Sequence, residues 1–444
     1  MNPLLYWGYR AAGELASLAA HVAPPGEGKL LRTLRARRGV TERFSSWGSS
    51  GRDRGRPLLW MHAPSVGEGL QARPVLERMR ARRPDVQLAY TFFSPSAESF
   101  ARGLAVDFSD YLPFDTAAAA EAALDALQPT ALVYAKLDVW PLLTAEAHRR
   151  DVRLGLISGT VAVGSSRRGG VAGSLLRNAY ASLDAVGTVS HEDGERLETL
   201  GVPPDRLVVT GDTRYDQVAA RAATVDRNSP LLSPLASEAP TLVAGSTWPA
   251  DEEVLLAAWT IVRRALPTAR LIIAPHEPTE SHLAPIEAWG VANGIAVARL
   301  GALGTPGSPG PSDAPGDTRA PVVLVDRVGV LGDLYALATV AFVGGGFHSA
   351  GLHSVLEPAA FGAPVTFGPR IANARDAALL VERGGGAVVS DTATAAATLL
   401  GWLTHDEGRR RAGAQAKALV DSGVGAADRS FDLVASLLDG RHPL

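Results

Sequence analysis

The chain has 444 residues, too many for one ordinary hydrophobic core, so two or more domains are expected. Hydrophobic residues make up 46% and charged residues 20%, a balance typical of a folded globular protein. The formal net charge of −3 provides no basic footprint for nucleic acid, and the absence of cysteine excludes disulfides, thiolate metal sites and a cysteine nucleophile.

The N-terminal segment, residues 3–23, has the pattern of an amphipathic helix. Its apolar face consists of Leu4, Trp7, Ala11, Leu15, Leu18 and Val22. Two charges in mid-segment, Arg10 and Glu14, disfavour a membrane span, because each costs about 2.5–3.5 kcal/mol near the bilayer centre. Clustered arginines follow, and together they predict that residues 1–56 form a helix and basic collar on an anionic membrane surface. A helix packed on the protein's own core is the alternative.

From residue 57 onward, short apolar runs alternate with longer amphipathic stretches, which predicts parallel sheets covered by helices. Residues 57–223 and 241–444 are predicted to form two such domains, joined by a proline-containing linker at 224–240. Residues 301–320, rich in Gly, Pro and Ser, predict a loop. The predicted strands are 57–63, 86–92, 131–135, 152–158, 185–190, 206–211, 241–246, 269–275, 321–326, 340–345, 363–368 and 386–390. Ligands bind outside the carboxyl ends of such strands, here in a cleft between the two domains.

The first strand leads into residues 62–69 (HAPSVGEG). Gly67 and Gly69 let the backbone turn tightly around Glu68, whose carboxylate is then expected at a helix N-terminus. The helix dipole keeps this carboxylate ionised, as a general base for a sugar hydroxyl must be. A carboxylate that only complements the dipole is the alternative interpretation.

Two further motifs follow strands of the first series. Lys136 and Asp138 share one side of the chain by period-two alternation, and an exposed ion pair is the simpler interpretation of them. Arg214, in residues 211–216 (GDTRYD), offers a cation for a phosphate or carboxylate. A turn with a surface arginine is the alternative there.

The second series carries stronger signals, each at the end of a strand. Ser246 and Thr247 bring hydroxyl groups to a helix N-terminus, and residues 275–278 (PHEP) form a rigid loop. The glycines at 344–346 allow backbone N–H groups to approach phosphate oxygens, and Glu357 is placed to accept hydrogen bonds from a ribose diol.

This glycine run is not a dinucleotide fingerprint, because Ser349 stands where the third glycine is expected. No Walker A, HExxH or GxSxG pattern occurs in the sequence. His348 and His353 lie five residues apart in a glycine loop, which is poor spacing for zinc.

Taken in order, these motifs resemble the Kdo transferases, which attach 3-deoxy-D-manno-octulosonic acid (Kdo) to lipid A precursors. The resemblance extends from about residue 57 to 390. It rests on the blocks 62–68 (HAPSVGE), 91–96 (TFFSPS), 111–115 (YLPFD), 211–216 (GDTRYD), 246–249 (STWP), 275–277 (PHE), 344–357 and 367–369 (FGP).

The resemblance implies a GT-B architecture, in which two Rossmann-like parallel-sheet domains face a cleft. It implies transfer with inversion from CMP-Kdo to a lipid A precursor, without a metal or other cofactor, at the cytoplasmic face of the inner membrane. Glu68 would be the catalytic base in the acceptor-binding N-terminal domain. Asp138 occupies the place of a family glutamate and Arg214 that of a family lysine, both near the transition state.

The C-terminal domain would bind the nucleotide. The resemblance implies CMP contacts from Pro275, His276, Gly329, Val330, Leu331, Ser354, Val355, Leu356 and Glu357, beside Ser246, Thr247, Gly345 and Gly346 from the strand-end motifs. The family often has Glu-Thr-Glu-Leu-Trp-Pro where this chain has KLDVWP at 136–141, and Gly-Glu-Leu at 329–331. Two alternatives therefore stay open: a GT-B transferase with another nucleotide sugar or acceptor, and an inactive relative that binds lipid or nucleotide.

Overall fold

The computed structural model describes residues 3–24, 28–162, 165, 170–303 and 320–441. The chain folds into two compact units, Met1–Gln217 with Val424–Leu444, and Val218–Gly423. The strands are β1 (Leu58–His62), β2 (Gln87–Phe92), β3 (Phe108–Tyr111), β4 (Ala131–Ala135), β5 (Arg153–Gly159), β6 (Ala185–Thr188), β7 (Leu207–Val209), β8 (Thr241–Thr247), β9 (Arg270–Pro275), β10 (Val297–Arg299), β11 (Val322–Leu324), β12 (Val340–Val343), β13 (Val365–Phe367) and β14 (Gly386–Val388). The helices are α1 (Pro3–Val22), α2 (Lys29–Arg35), α3 (Val40–Ser50), α4 (Val66–Arg82), α5 (Glu98–Arg102), α6 (Ala117–Leu127), α7 (Pro141–Arg149), α8 (Gly170–Ala181), α9 (His191–Leu200), α10 (Arg214–Thr224), α11 (Pro249–Ala265), α12 (Glu280–Asn293), α13 (Leu331–Leu334), α14 (Leu356–Ala360), α15 (Arg375–Glu382), α16 (Thr392–Thr404), α17 (Asp406–Gly423) and α18 (Ala426–Leu438).

Each unit is built on a seven-stranded parallel sheet. The strand order is β3-β2-β1-β4-β5-β6-β7 in the first unit and β10-β11-β9-β8-β12-β13-β14 in the second. Central strands such as β1 are buried at every residue, as expected for a parallel sheet covered by helices on both faces. The α/β class with two Rossmann-like parallel sheets of the GT-B type, predicted from the sequence, is confirmed.

In each sheet, the chain adds strands first on one side of the unit's first strand and then on its other side. β1 lies between β2 and β4, and β8 lies between β9 and β12. Crevices at such switch points, outside the carboxyl ends of the strands, are where open α/β sheets bind ligands. The loops after β1, β4, β8 and β12 are therefore the ones that carry candidate site residues.

The sequence pattern does not predict two of the strands, β3 and β10. Both lie at the edge of their sheet, and only Tyr111 among their residues is buried. β3 has the sequence FSDY and β10 the sequence VAR, so neither contains the continuous apolar run by which the other strands were recognised. Of the loop predicted at 301–320, residues 304–319 lie outside the described part of the chain.

The unit boundaries differ from those read off the sequence. Residues 224–240, predicted as a linker, belong to the second unit, whereas α18 belongs to the first. The reason is packing: α18 buries Leu433, Val434 and Leu437 in the core of the first unit. Asp216 accepts hydrogen bonds from the amides of Gly425 (2.9 Å) and Ala427 (2.9 Å) at the start of that helix.

The predicted basic collar is largely engaged within the first unit. Arg37 is buried and donates to the carbonyl oxygens of Leu112 and Phe93, both at 2.9 Å. Arg43 forms an ion pair with Asp110. Of this arginine cluster, the exposed side chains of Arg32 and Arg35, on α2, make no hydrogen bond or ion pair with the described residues.

Candidate active site

Glu68 lies in the first turn of α4, directly after β1. Its carboxylate accepts hydrogen bonds from the Ser65 hydroxyl and from Lys136 Nζ, the latter at 3.3 Å. Partial burial by itself would raise the pKa of Glu68, but the Ser65 hydrogen bond and the Lys136 charge outweigh it and hold that pKa below its ordinary value. The carboxylate is therefore ionised at neutral pH, and its side chain retains 18% exposure.

Lys136 reaches Glu68 through an unusual backbone conformation. Its φ of 65° is left-handed, directly at the end of β4. Ser246 has a φ of 55° near the end of β8, the first strand of the second unit. Left-handed backbone is unfavourable for residues with a Cβ and is concentrated at functional sites, so both positions mark the switch points as candidate sites.

Asp138 lies beside the end of β1. Its Oδ2 is 3.4 Å from Nε2 of the buried His62, and the Trp140 indole N–H donates to both groups, at 3.1 Å each. His62 Nδ1 in turn lies 3.0 Å from the Thr91 hydroxyl. The Trp140 ring stacks on Phe93 with centroids 5.1 Å apart. The structure thus brings Asp138 and Glu68 to the same strand ends, each with its own polar partners.

Arg214, the third predicted catalytic residue, is bound to a neighbouring carboxylate. Its guanidinium donates twice to Asp212 Oδ2, at 2.9 and 2.6 Å. Burial opposes ionisation of Asp212, but the charge and hydrogen bonds of Arg214 dominate and lower its pKa. Gln71, one turn after Glu68 on α4, donates to the same carboxylate at 3.2 Å, which links the start of α10 to the helix that carries Glu68.

In the second unit, the predicted nucleotide residues follow the ends of β8, β9, β11 and β12. Thr247 donates to Glu252 Oε1 at 2.8 Å, and the amide of His276, which follows Pro275, donates to the Thr247 carbonyl at 2.9 Å. Gly329, Val330 and Leu331 lead into α13, and Ser354 and Val355 precede α14, which begins at Leu356. Burial raises the pKa of Glu357 in the first turn of α14.

A stack of four aromatic rings stands at this edge of the sheet. The Trp248 ring stacks on His348 and His276, with centroids 4.4 and 4.7 Å apart, and His276 stacks on His353 at 4.4 Å. The Trp248 indole donates to His353 Nε2 at 3.2 Å. Burial, together with neighbouring His276, lowers the pKa of His353 to about 4, so its imidazole is neutral at physiological pH and accepts this bond.

Asp251 organises the glycine run that follows β12. This fully buried carboxylate accepts hydrogen bonds from the amides of Gly345 (2.7 Å), Phe347 (3.0 Å) and Trp248 (2.9 Å). The Gly345 amide, predicted to face a phosphate, is therefore already bound. Gly346 is required by packing, because a Cβ there would lie 2.4 Å from the backbone nitrogen of Gly368.

Several residues that build these sites were not singled out from the sequence, namely Ser65, His62, Trp140, Trp248 and Asp251. Most lie inside quoted motifs, so their position was visible but their partner was not. Asp251 had one usable signal, its place three residues after Trp248 at an acidic helix start, where a carboxylate caps the helix. Among the described residues, no group of three histidine or acidic side chains is placed to hold a metal ion.

Comparison with known proteins identifies similar sequences over most of the chain. Residues 34–217 match the family described as 3-Deoxy-D-manno-octulosonic-acid transferase (kdotransferase). A 3-deoxy-D-manno-octulosonic acid transferase of Bordetella pertussis is 31% identical over 392 residues, covering 86% of this chain and 87% of the relative. The transferase of the same name from Haemophilus influenzae is 24% identical over 420 residues, covering 92% of this chain and 93% of the relative.

Among solved structures, UDP-GlcNAc 2-epimerase from Neisseria meningitidis bound to UDP-GlcNAc superimposes with a TM-score of 0.62. It is 12% identical, and the match covers 87% of this chain and 100% of that one. At this identity the similarity concerns the fold alone, which agrees with the two parallel sheets.

Proposed function

Because the chain belongs to the 3-deoxy-D-manno-octulosonic acid transferase family, glycosyltransferases of lipopolysaccharide biosynthesis, we propose that it transfers Kdo from CMP-Kdo to a lipid A precursor. The observation that carries this proposal is the Glu68 carboxylate, held ionised by Ser65 and Lys136 at the switch point of the first sheet. An ionised carboxylate at that place has the chemistry of a general base for an acceptor hydroxyl.

In the proposed mechanism, Glu68 removes the proton of the acceptor hydroxyl while its oxygen attacks the anomeric carbon of Kdo. The bond from that carbon to the CMP phosphate oxygen breaks, so CMP leaves with the electron pair and the configuration inverts. The base sits with the acceptor, and the phosphate is already a good leaving group. No step of this scheme calls on a metal ion.

The donor is proposed to bind in the second unit. The Ser246 hydroxyl and the His276 ring stand at the strand ends, while α13 and α14 begin beside the predicted contacts Val330 and Ser354. Helix N-termini and hydroxyl groups favour phosphate oxygens. Asp138 and Arg214 are proposed to act near the transition state, through the partners described above.

The proposal is tested by incubating the purified protein with CMP-Kdo and a tetraacylated lipid A precursor and weighing the lipid product. We expect the mass to rise by one or more Kdo residues. Turnover only with a different nucleotide sugar or acceptor would favour another GT-B transferase. Binding of either substrate without turnover would favour an inactive relative.

The Lys136 ion pair leads to a pH prediction. The Lys136 charge lowers the pKa of Glu68, so removing it in Lys136→Met raises that pKa. Because the base acts when deprotonated, the acid limb of the kcat/KM profile should move to higher pH, and further still in Lys136→Glu. The profile is measured with CMP-Kdo and the lipid acceptor. Lys417→Met, which removes an exposed lysine of α17, should leave the limb in place, and an unmoved limb in Lys136→Met would contradict the assignment of Glu68.

The N-terminal helix supports a location at the membrane surface, which we propose is the cytoplasmic face of the inner membrane. Its apolar side faces away from the protein: Trp7, Leu15, Leu18 and Val22 are 61–72% exposed, and Leu30 on α2 is 71% exposed. Arg32 and Arg35 are exposed beside Leu30. No helix in the described part of the chain combines the length and apolarity needed to cross a membrane. An exposed apolar stripe next to cations fits an anionic lipid surface.

Replacing both leucines of this stripe, Leu15→Ser with Leu18→Ser, should weaken binding to anionic phospholipid vesicles about 100-fold or more, since each buried leucine contributes about 1.5–3 kcal/mol. Vesicle co-sedimentation measures the change. The double variant Val291→Ser with Val381→Ser removes exposed apolar side chains from the second unit and should bind as the wild type does. Equal losses in the two double variants would argue against a specific role for α1.

A further inference from the structure

One buried carboxylate, that of Asp115, joins the N-terminal helix to a helix of the candidate active site. Asp115 is 7% exposed and lies in the loop between β3 and α6. It accepts a hydrogen bond from the Tyr9 hydroxyl of α1 at 2.7 Å. It also accepts from the amides of Leu142 (2.9 Å) and Leu143 (2.8 Å), in the first turn of α7. A single side chain thus binds two helices that are distant in sequence.

The start of α7 is continuous with the site around β1. Trp140 immediately precedes α7, and its indole N–H donates to His62 and Asp138. A shift of the first turn of α7 therefore displaces the groups that position Asp138. Tyr9 is also affected by charges in this region. Burial and the negative charges of Asp115 and Asp138 raise the pKa of Tyr9, so its phenol stays protonated and donates its hydrogen bond.

α1 packs closely against the loop between β3 and α6, which carries Asp115. Gly13 faces the loop so closely that a Cβ would lie 2.9 Å from the Asp115 carbonyl oxygen. Arg38 donates to the carbonyl oxygens of Ala20 and Ala23 and so holds the C-terminal end of the helix. The face of α1 that carries Tyr9 and Gly13 thus packs against the rest of the first unit, while the face with Leu15 and Leu18 is exposed.

The Tyr9 hydrogen bond matters because the carboxylate is buried. Burial raises the pKa of Asp115, and its hydrogen bonds from Leu142, Tyr9 and Leu143 oppose that shift, so loss of the Tyr9 donor leaves the buried carboxyl group poorly solvated. With Tyr9 absent, Asp115 must find another partner by moving toward water, and the first turn of α7 moves with it.

We infer that Asp115 is a positioning residue that couples the seating of α1 to the geometry of Trp140 and Asp138. On this inference, which rests on the proposed function, the position of α1 on the protein affects the geometry of the active site through Asp115. The helix then does more than hold the protein at a surface, because sugar transfer requires α1 to be packed against the loop that carries Asp115.

Tyr9→Phe removes only the hydroxyl. We expect kcat with the lipid acceptor to fall about tenfold, the effect of losing roughly 1.4 kcal/mol from a hydrogen bond to a charged group, at unchanged KM for CMP-Kdo. Amide hydrogen exchange in the first turn of α7 should become faster, while vesicle binding stays at the wild-type level. Tyr6→Phe, which removes the same group from the same helix, should change none of these.

Two glycines of α1 provide an independent pair of variants. Gly13→Ala forces the helix away from the Asp115 carbonyl and should reproduce the loss of kcat and the faster exchange in α7. Gly8→Ala places its methyl group where no atom lies within 4 Å and should behave as the wild type.

The outcomes separate this inference from the proposed function. Wild-type kcat and exchange in both Tyr9→Phe and Gly13→Ala would overturn the coupling, and so would a loss of kcat that only follows a loss of vesicle binding. Absence of Kdo transfer by the wild type would overturn the proposed function, yet exchange in α7 would still report on the coupling.

Discussion

Glu68→Gln is expected to lower kcat for Kdo transfer by about 10²–10⁴-fold, the usual contribution of a general base. Glutamine has nearly the same shape: its single amide oxygen can still accept from Lys136 and its NH2 group can donate to the Ser65 hydroxyl oxygen, so the start of α4 keeps its structure. It cannot take up the proton of the acceptor hydroxyl. KM for CMP-Kdo should change little, because the donor is proposed to bind in the second unit. Steady-state kinetics with the lipid acceptor provides the measurement.

A matched control lies on the same helix. Glu77 is exposed on α4, so Glu77→Gln makes the same chemical change without reaching the strand ends. It should retain wild-type kcat. If Glu68→Gln also transferred Kdo at near-normal rate with its folding intact, Glu68 would not be the base, and another group would have to accept the proton.

The second large effect is expected at Asp251 in the second unit. Asp251→Ala leaves the amides of Gly345, Phe347 and Trp248 without their acceptor in a fully buried place. Unsatisfied buried donors are expensive, so the free energy of unfolding should fall by about 3–5 kcal/mol. The glycine run after β12 loses its anchor, and donor binding should be lost with it. Urea denaturation and calorimetric titration with CMP measure the two effects.

Asp251→Asn is the graded variant, because its single side-chain oxygen still accepts part of these bonds. It should lie between the wild type and Asp251→Ala in both measurements. Glu253→Ala, two residues further along α11 on its exposed side, should change neither. If Asp251→Ala bound CMP with wild-type affinity, the glycine run would not need Asp251 in order to bind the nucleotide.

Much of the fold could be predicted because its strands are continuous apolar runs. Each of the twelve strands predicted from the sequence corresponds to a strand of the structure, β4 with identical ends. The strands without such a run, β3 and β10, were not predicted. The position of α18 was also not predicted, since a helical pattern shows that a helix has an apolar face but not which core buries it.

For the candidate sites, position was predictable but partnership was not. Glu68 was expected at a helix N-terminus and lies there, yet its lysine partner had been paired with Asp138 in the sequence interpretation. The reason is the left-handed backbone of Lys136, which period-two alternation does not describe. Likewise, the glycine run suggested free amides, while Asp251, 94 residues away, already binds one of them.

The sequence by itself determined the fold class, the order of the strand-end motifs and the family, because these depend on local patterns of apolar, glycine and polar residues. Only the tertiary structure decided which side chains meet: Lys136 with Glu68, Asp251 with the glycine run, and Asp115 with both Tyr9 and α7. Such contacts join residues far apart in the chain, and their geometry follows from how helices pack on each sheet. A buried carboxylate must find its donors wherever that packing brings them.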